Sequence, residues 1–252
     1  MQNRSALLFG LIVLIGLLLM TGFAAVGDDK PTYTFATEAA WAPWDYVDED
    51  GKLVGIDIDI IRAIAEVEGF NVEFTTSQWS SLIPMVNMGK ADMTGGGMSI
   101  TPEREERVDF TDPYWFTELA VIVRDDSDLN VFSAMTHGAR ISNQSNTTGA
   151  NWVRKNLVEK GYDLDQKLFE NYPQATQALI SGKVEATVMD ATSAEQAISA
   201  GKPIKIVGYI RTGEAYGYAV QEGDEELLNT LNEGLKKIKQ SGKFEEIINE
   251  YL

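Results

Sequence analysis

The chain has 252 residues, with 21 Lys and Arg against 38 Asp and Glu, which gives a net charge of −17. Such an acid excess argues against a nucleic-acid binder, because neutralising phosphate requires clustered Lys and Arg. The sequence has no Cys and one His, His137, so disulfides, cysteine nucleophiles and sites with two His ligands are excluded. A Ser-His-Asp triad would have to run through His137, which we interpret as an inert surface residue in a polar linker. We therefore predict no catalytic residue, no metal and no cofactor.

The first 27 residues are a candidate targeting segment. A polar start containing Arg4 precedes the nearly all-apolar run 6–26, which ends at Asp28. This pattern is typical of a cleaved signal peptide; an uncleaved anchor is the alternative, since a run of this length is able to span a bilayer. Either interpretation places 28–252 outside the cytoplasmic membrane, periplasmic or at the cell surface. No later stretch is apolar enough to span, so we expect that part to be soluble.

Strand-like and helix-like segments alternate after this run, which favours an α/β fold. We predict strands at Thr32–Thr37 and Val72–Thr75. Apolar residues at helical spacing predict helices over Asp57–Glu68 and Ser80–Met88, the second ending at Gly89.

A short internal echo indicates two similar lobes. Residues 82–93 run from a helix through Gly-Lys-x-acid into a strand, and 178–186 repeat that order. Two extended crossings, Leu119–Arg124 and Tyr209–Val220, suggest a hinge that closes on a ligand.

These crossings set the predicted domain boundaries. Lobe 1 comprises 28–118 and 213–252, and lobe 2 comprises 119–212 with the hinge crossings. The chain ends in two helices broken at Ser241-Gly242. The apolar stripe of the first is most simply a core face, with a partner-helix role as the alternative.

The stretch 95–104 carries the strongest site signal. Three glycines allow a close backbone approach, and Thr101-Pro102 starts a helix with a Thr cap. Arg104 in its first turn opposes the helix dipole, which favours anions at that end. A bound carboxylate or phosphate would remove the conflict, with the Ser99 hydroxyl nearby. The alternative is pairing of Arg104 with acids on its own solvated face.

Two further strand ends carry polar candidates. The passage 141–149 leads into a helix beginning near Asn151, and its Thr147 and Thr148 hydroxyls either hold the same anion or cap that helix. Asp190 ends an apolar strand, where ligands of open α/β units sit; it either accepts from an ammonium group or caps the next helix.

Aromatic residues and one acid occupy the first loops. Trp41 and Trp79 are candidates to clamp a flat or cationic group, whereas Trp44 and Tyr46 are expected to pack in the core or a lid. Glu38, at a strand end, is either a side-chain ligand or a turn acid.

At these residues the chain resembles the polar amino-acid-binding proteins of ABC importers, the type II periplasmic solute-binding fold. The resemblance covers 31–252. It rests on Phe35–Trp44, Gly51–Asp59, Gly97–Arg104 with Val108–Tyr114, Asn146–Gly149, the Asp190 strand end and Tyr216–Val220.

The resemblance implies a role for each candidate. Arg104 would clamp the ligand α-carboxylate with help from Thr148. Asp190 would hold the α-ammonium, together with the Gly97 carbonyl and the Ser99 hydroxyl. Trp41 and Trp79 would sandwich the side chain, and Glu38 would touch its polar groups. Asn146 replaces the usual Gly of Gly-Thr-Thr, so a different turn is expected there.

Two Trp faces with Glu38 suit a cationic side chain, arginine above all, through cation–π contact and one carboxylate. Glutamine or another polar residue comes next. The predicted function is extracytoplasmic binding by a monomer that delivers the amino acid to an ABC transporter permease. The alternatives are a cyclohexadienyl dehydratase-like enzyme on the same fold, with Glu38 as general acid, and a sensor ectodomain acting through a separate partner.

Overall fold

The computed structural model describes residues 30–136 and 138–252. The predicted targeting segment 1–27 and the predicted surface residue His137 lie outside these residues. Within the described ranges, no helix combines the length and apolarity that a membrane crossing requires.

Strands and helices alternate along the described chain, as the sequence predicts. The strands are β1 Thr32–Thr37, β2 Ala40–Trp41, β3 Asp45–Val47, β4 Leu53–Val54, β5 Asn71–Thr76, β6 Met93–Thr94, β7 Val108–Phe110, β8 Trp115–Arg124, β9 Ala139–Gln144, β10 Leu164–Phe169, β11 Ala186–Asp190, β12 Ile204–Tyr216 and β13 Ala219–Gln221. The helices are α1 Ile56–Glu68, α2 Leu82–Asn87, α3 Pro102–Glu105, α4 Thr148–Val153, α5 Tyr172–Ile180, α6 Ala191–Ser199, α7 Glu225–Ser241 and α8 Lys243–Tyr251.

The predicted elements lie close to the observed ones. Strand β1 has the predicted bounds, β5 is one residue longer at each end, and α1 begins one residue early. The predicted helix Ser80–Met88 is a 3₁₀ turn, Trp79–Ser81, followed by α2. Its first turn is irregular because Pro84 has no N–H to donate to a carbonyl one turn earlier.

Two five-stranded sheets share one arrangement. In the first, the order is β5-β1-β6-β13-β7, and in the second it is β10-β9-β11-β8-β12. The first three strands of each order are parallel, and the fourth is antiparallel to both of its neighbours. The chain passes between the sheets after β7 and again after β12, so two connections join them.

The internal echo is a repeated helix ending. Gly89 and Gly182 both have positive φ, at 64° and 73°. The following lysines donate backbone N–H groups to equivalent carbonyls, Lys90 to Met85 and Lys183 to Ala178, both at 2.9 Å. This is the bonding of a helix closed by a left-handed glycine, so the echo reflects a common local structure in the two halves.

The predicted crossings pair with each other over part of their length, because Tyr209–Tyr216 lies in β12 of the second sheet whereas Ala219 and Val220 belong to β13 of the first. Strands β8 and β12 are antiparallel neighbours, from Ile204 opposite Arg124 to Tyr216 opposite Trp115. Their register shifts between Ile210 and Glu214. The predicted domain boundaries, 118/119 and 212/213, fall inside these two strands.

Helix α7 packs its apolar stripe inward, as predicted for a core face. Leu227, Leu231, Leu235 and Ile238 are all at most 2% exposed. Gly234 permits the close approach of α1, because a Cβ there would lie 2.5 Å from Ile64 Cγ2. The stripe is therefore buried in the protein's own core.

Candidate functional site

The glycine loop after β6 is held by a buried carboxylate on α1. Asp57 accepts hydrogen bonds from the backbone N–H groups of Gly96 and Gly97, at 2.8 and 2.7 Å. It also accepts from the Tyr114 and Tyr218 hydroxyls, at 2.8 and 3.0 Å. Burial raises the pKa of Asp57 to about 6, while these four donors oppose the rise. The loop is thereby fixed in the positive-φ conformations that glycine favours.

A second buried carboxylate shapes the turn that carries Glu38. Asp45 accepts from the Thr37 hydroxyl and from the backbone N–H groups of Glu38 and Ala39, at 3.0 and 2.8 Å. Ala39 has a φ of 61°, a strained conformation for alanine that these bonds hold in place. Burial raises the pKa of Asp45 to about 8.

Glu38 faces the second sheet. Both of its carboxylate oxygens accept from the Gln144 amide, at 2.8 and 2.9 Å. Gln144 ends β9 and is buried. Burial raises the pKa of Glu38, and the Gln144 hydrogen bond opposes this rise. Glu38 therefore contacts the end of β9 in the second sheet, and does not merely stabilise its own turn.

Arg104 sits in the turn that the sequence predicts. Thr101 caps α3, its hydroxyl accepting from the Arg104 backbone N–H at 3.3 Å. The guanidinium donates to the Ser99 carbonyl at 2.7 Å and to the Asn146 carbonyl at 3.3 Å. It also lies 5.2 Å from the centre of the Trp79 ring.

The surface-pairing alternative for Arg104 is not observed. Among residues 30–136 and 138–252, no ion pair within 4.0 Å involves Arg104. Burial lowers the pKa of Arg104, while the charges of Glu214 and Asp190 raise it. The guanidinium remains a cation at neutral pH because its ordinary pKa is far higher.

The two threonines in the turn after β9 have different positions and contacts. Thr147 caps α4, accepting from the Ala150 backbone N–H at 3.2 Å, and donates its hydroxyl to the Gln144 carbonyl at 2.9 Å. Thr148, the first residue of α4, lines the cavity described below. The capping alternative therefore describes Thr147. The helix begins three residues earlier than the predicted start near Asn151.

Asn146 takes the left-handed conformation, with a φ of 61°, which asparagine tolerates better than most residues. Its carbonyl accepts from the Trp79 indole at 3.1 Å, as well as from Arg104. One backbone oxygen thus holds two candidate side chains of the opposite half.

Asp190 is the buried end of β11, and its side chain does not cap α6. Its Oδ1 has no hydrogen-bond partner among the described residues. Burial, followed by the negative charge of Glu214, raises the pKa of Asp190 to about 7. A buried carboxylate oxygen without a hydrogen-bond donor is costly, so Oδ1 is suited to receive a donor from a ligand.

The eight predicted site residues line one cavity of about 20 Å³. They are Glu38, Trp41, Trp79, Gly97, Ser99, Arg104, Thr148 and Asp190. A cavity of this size holds about one water molecule, so a larger ligand requires the two sheets' loops to move apart. A larger cavity of about 690 Å³ lies outside it and shares Trp79, Arg104 and Thr148 as lining residues.

Three residues of the site escaped the sequence analysis. Tyr172 stacks on Trp41, with ring centres 4.1 Å apart, and its Asn-Tyr-Pro sequence signals only a helix start. Gln144 lies in residues 141–149, where only the Thr147 and Thr148 hydroxyls were considered as site groups. Glu214 lies in a predicted crossing and accepts from the Ser99 hydroxyl at 2.9 Å. By contrast, Trp44 is fully buried against other rings, as expected for core packing.

Known proteins are similar to this chain over almost all of its described residues. The family model of bacterial extracellular solute-binding proteins, family 3, matches residues 33–252. A probable histidine-binding protein of Neisseria gonorrhoeae is 30% identical over 232 residues, which cover 90% of this chain and 85% of that protein.

Solved structures extend the similarity. An ancestral arginine-binding protein bound to arginine has a TM-score of 0.83 and 36% identity, covering 89% of this chain and 99% of its own. An ancestral arginine-binding protein bound to glutamine has a TM-score of 0.82 and 36% identity, covering 88% of this chain and 98% of its own. An ancestral amino acid-binding protein, described as a precursor of cyclohexadienyl dehydratase, has a TM-score of 0.78 and 30% identity. The match covers 87% of this chain and 94% of that protein's chain.

Proposed function

This chain belongs to family 3 of the bacterial extracellular solute-binding proteins, and we propose that it binds one free L-amino acid and delivers it to the permease of an ABC importer. The observation that carries this proposal is the convergence of Arg104 and Asp190 on one cavity, from opposite sheets. A free amino acid offers one carboxylate and one ammonium, and the cavity offers the Arg104 guanidinium and the Asp190 carboxylate, whose Oδ1 has no hydrogen-bond partner among the described residues.

The proposed contacts follow this charge pattern. Arg104 binds the α-carboxylate, with Thr148 donating from the start of α4. Asp190 accepts from the α-ammonium, together with the Gly97 carbonyl and the Ser99 hydroxyl. Because closure removes water, each charged hydrogen bond becomes stronger than it would be in solution.

Arginine is the proposed ligand, with glutamine or another polar amino acid next. Glu38 and the two indoles, Trp41 and Trp79, suit a planar cation. Trp41 already stacks on Tyr172, so the side chain would use its other face. Two carboxylates, Glu38 and Asp190, line the cavity with one guanidinium, and a third carboxylate, Glu214, accepts from the lining residue Ser99. A ligand with a net positive charge reduces this excess, and an acidic ligand increases it.

Binding without turnover is part of the proposal. The relatives' names describe binding proteins. A dehydratase-like enzyme would need Glu38 as a proton donor, whereas both Glu38 oxygens accept from Gln144. We propose further that the protein acts as a monomer outside the cytoplasmic membrane, whether or not its N-terminal segment is cleaved. The two lobes are proposed to divide at 118/119 and 212/213 and to close about β8 and β12.

Calorimetric titration tests the proposal. Purified protein is unfolded, freed of co-purified ligand and refolded, then titrated with the twenty amino acids and ornithine. We expect tight binding of arginine. Selective binding of glutamine would retain the amino-acid function and contradict the cationic pocket. Folded protein that binds no amino acid would contradict the proposal, and prephenate turnover would then be the assay to run.

A further inference from the structure

Glu214 joins the second crossing strand to the candidate site. It is a half-buried residue of β12 that accepts from the Ser99 hydroxyl at 2.9 Å. The neighbouring backbone makes the same connection, because Ile100 N–H donates to the Ala215 carbonyl at 2.8 Å and Gly217 N–H donates to the Met98 carbonyl at 3.1 Å. Residues 98–100 therefore lie along the end of β12, and Glu214 anchors the Ser99 hydroxyl.

The carboxylate of Glu214 also carries a negative charge close to the site, and none of the proposed ligand contacts uses it. Ser99 stands between Glu214 and Arg104, since its hydroxyl donates to one and its carbonyl accepts from the other. Glu214 and Arg104 both line the outer cavity. A second carboxylate near Asp190 makes the unliganded site more negative and increases its demand for a cationic group.

Resting on the proposed amino-acid function, we propose that Glu214 is a positioning residue that orients the Ser99 hydroxyl and, through its charge, strengthens the site's preference for an ammonium group. The ligand class is narrowed accordingly to compounds that present a protonated amine to Asp190 and Ser99. An amino acid whose α-amine is acylated should be rejected.

The surroundings of Asp190 make this proposal measurable through pH. Glu214 and Tyr216 approach from β12, Arg104 from α3 and Tyr172 from α5. Glu118 on the adjacent strand β8 faces Arg211 instead, at 3.8 Å. Burial first and Glu214 second raise the pKa of Asp190. Removing the Glu214 charge should lower that pKa, so Asp190 would stay ionised, and able to bind an ammonium, to a lower pH.

The experiment is calorimetric titration of arginine between about pH 5.5 and pH 9, with wild-type protein, Glu214→Gln and the control Glu118→Gln. Glutamine keeps an acceptor for Ser99 and removes the charge. We expect arginine affinity above about pH 8 to fall roughly 3- to 10-fold in Glu214→Gln. We also expect its loss of binding in acid to begin about one pH unit lower than in wild type. Glu118→Gln should match wild type in both respects.

A purely structural role gives a different result. It would lower the arginine affinity of Glu214→Gln by the same factor at every pH. The acid limb, meaning the pH range over which binding is lost in acid, would then coincide with that of wild type, and this result would overturn the proposal. If circular dichroism shows that Glu214→Gln is unfolded, Glu214→Asp replaces it. That variant keeps the charge, so its acid limb should coincide with wild type, and a shifted limb would overturn the proposal. Wild-type protein that binds no amino acid overturns the proposed function and this inference together, whereas binding with an unmoved limb overturns the inference alone.

Discussion

The two sheets share a strand order and differ in what their strand ends present. In the first sheet, β1 is followed by an acid, Glu38, and β6 leads to the glycine loop and Arg104. In the second, the equivalent strand β9 leads to neutral donors at Gln144 and Thr148, and β11 ends at Asp190. The segment that follows β6 supplies a cation, whereas the equivalent strand β11 supplies an anion at its last residue. Similar scaffolds thus build a site with two unlike poles, which suits a ligand carrying both charges.

Removing either pole gives the largest expected effect. Arg104→Ala and Asp190→Ala should each weaken amino-acid binding by about 2–5 kcal/mol, or roughly 30- to several-thousand-fold, because the ligand's opposite charge would be buried unpaired. Calorimetry on both variants and on the exposed control Arg107→Ala measures this. Equal, small losses in all three would show that the two poles do not contact the ligand.

The buried carboxylate that holds the glycine loop beside Arg104 should give the next largest effect, on the free energy of unfolding. Asp57→Asn should lower the free energy of unfolding by about 2–4 kcal/mol, since an amide would face four donors with one acceptor oxygen. Urea denaturation measures the change. Glu66→Gln, exposed on the same helix, is the matched control and should stay within about 0.5 kcal/mol of wild type.

The anionic pole should cost stability in the free protein. The folded-state pKa of Asp190, about 7, lies above its unfolded value of about 3.9. The unfolded state therefore binds fewer protons than the folded state in this window, and stability falls as pH rises from about 4 to about 7.

Asp190→Asn should remove this dependence. We expect it to raise the free energy of unfolding by about 1–3 kcal/mol near pH 8 and by less near pH 5, while it abolishes binding. Denaturation of ligand-free wild type and variant at both pH values measures the difference. Parallel stability curves would mean that Asp190 titrates normally.

The turn after β9 gives the smallest effect. Asn146→Val should lower stability by about 1–2 kcal/mol, because a β-branched residue is strained at a φ of 61°. Asn146→Gly should be within about 0.5 kcal/mol of wild type and should retain binding, since the contacts to Trp79 and Arg104 use the backbone carbonyl. Thermal melts with arginine titration test both variants, and a loss of binding in Asn146→Gly would assign the side chain a role.

Local signals explain which parts of this molecule were predictable. The cap at Thr101, the glycine helix ends and the apolar periodicity of α1 depend on residues close in sequence, and all appear as predicted. The eight candidate site residues were chosen from strand ends and from the family resemblance, and they line one cavity.

The missed residues depend on distant pairings. Gln144 meets Glu38 across 106 positions, and Glu214 meets Ser99 across 115. No periodicity encodes such a contact. Tyr172 carries a helix-start signal that is correct and says nothing of the ring stacked on Trp41.

Several contacts across the cleft are made by the protein's own groups, and this bears on how faithfully closure reports loading. Besides the Gln144 bond to Glu38, Gln78 donates to Glu170 at 2.5 Å and Trp79 donates to Asn146. Each such bond contributes about 0.5–1.5 kcal/mol, so together they stabilise the arrangement in which the loops of the two sheets are in contact. For a carrier that is recognised by its closed shape, an unloaded closed molecule competes for the same docking site as a loaded one. If this protein delivers its ligand to a permease as proposed, the strength of these few bonds would set the fraction of unloaded molecules that dock unproductively, and weakening Gln78–Glu170 should lower that fraction while leaving the ligand contacts intact.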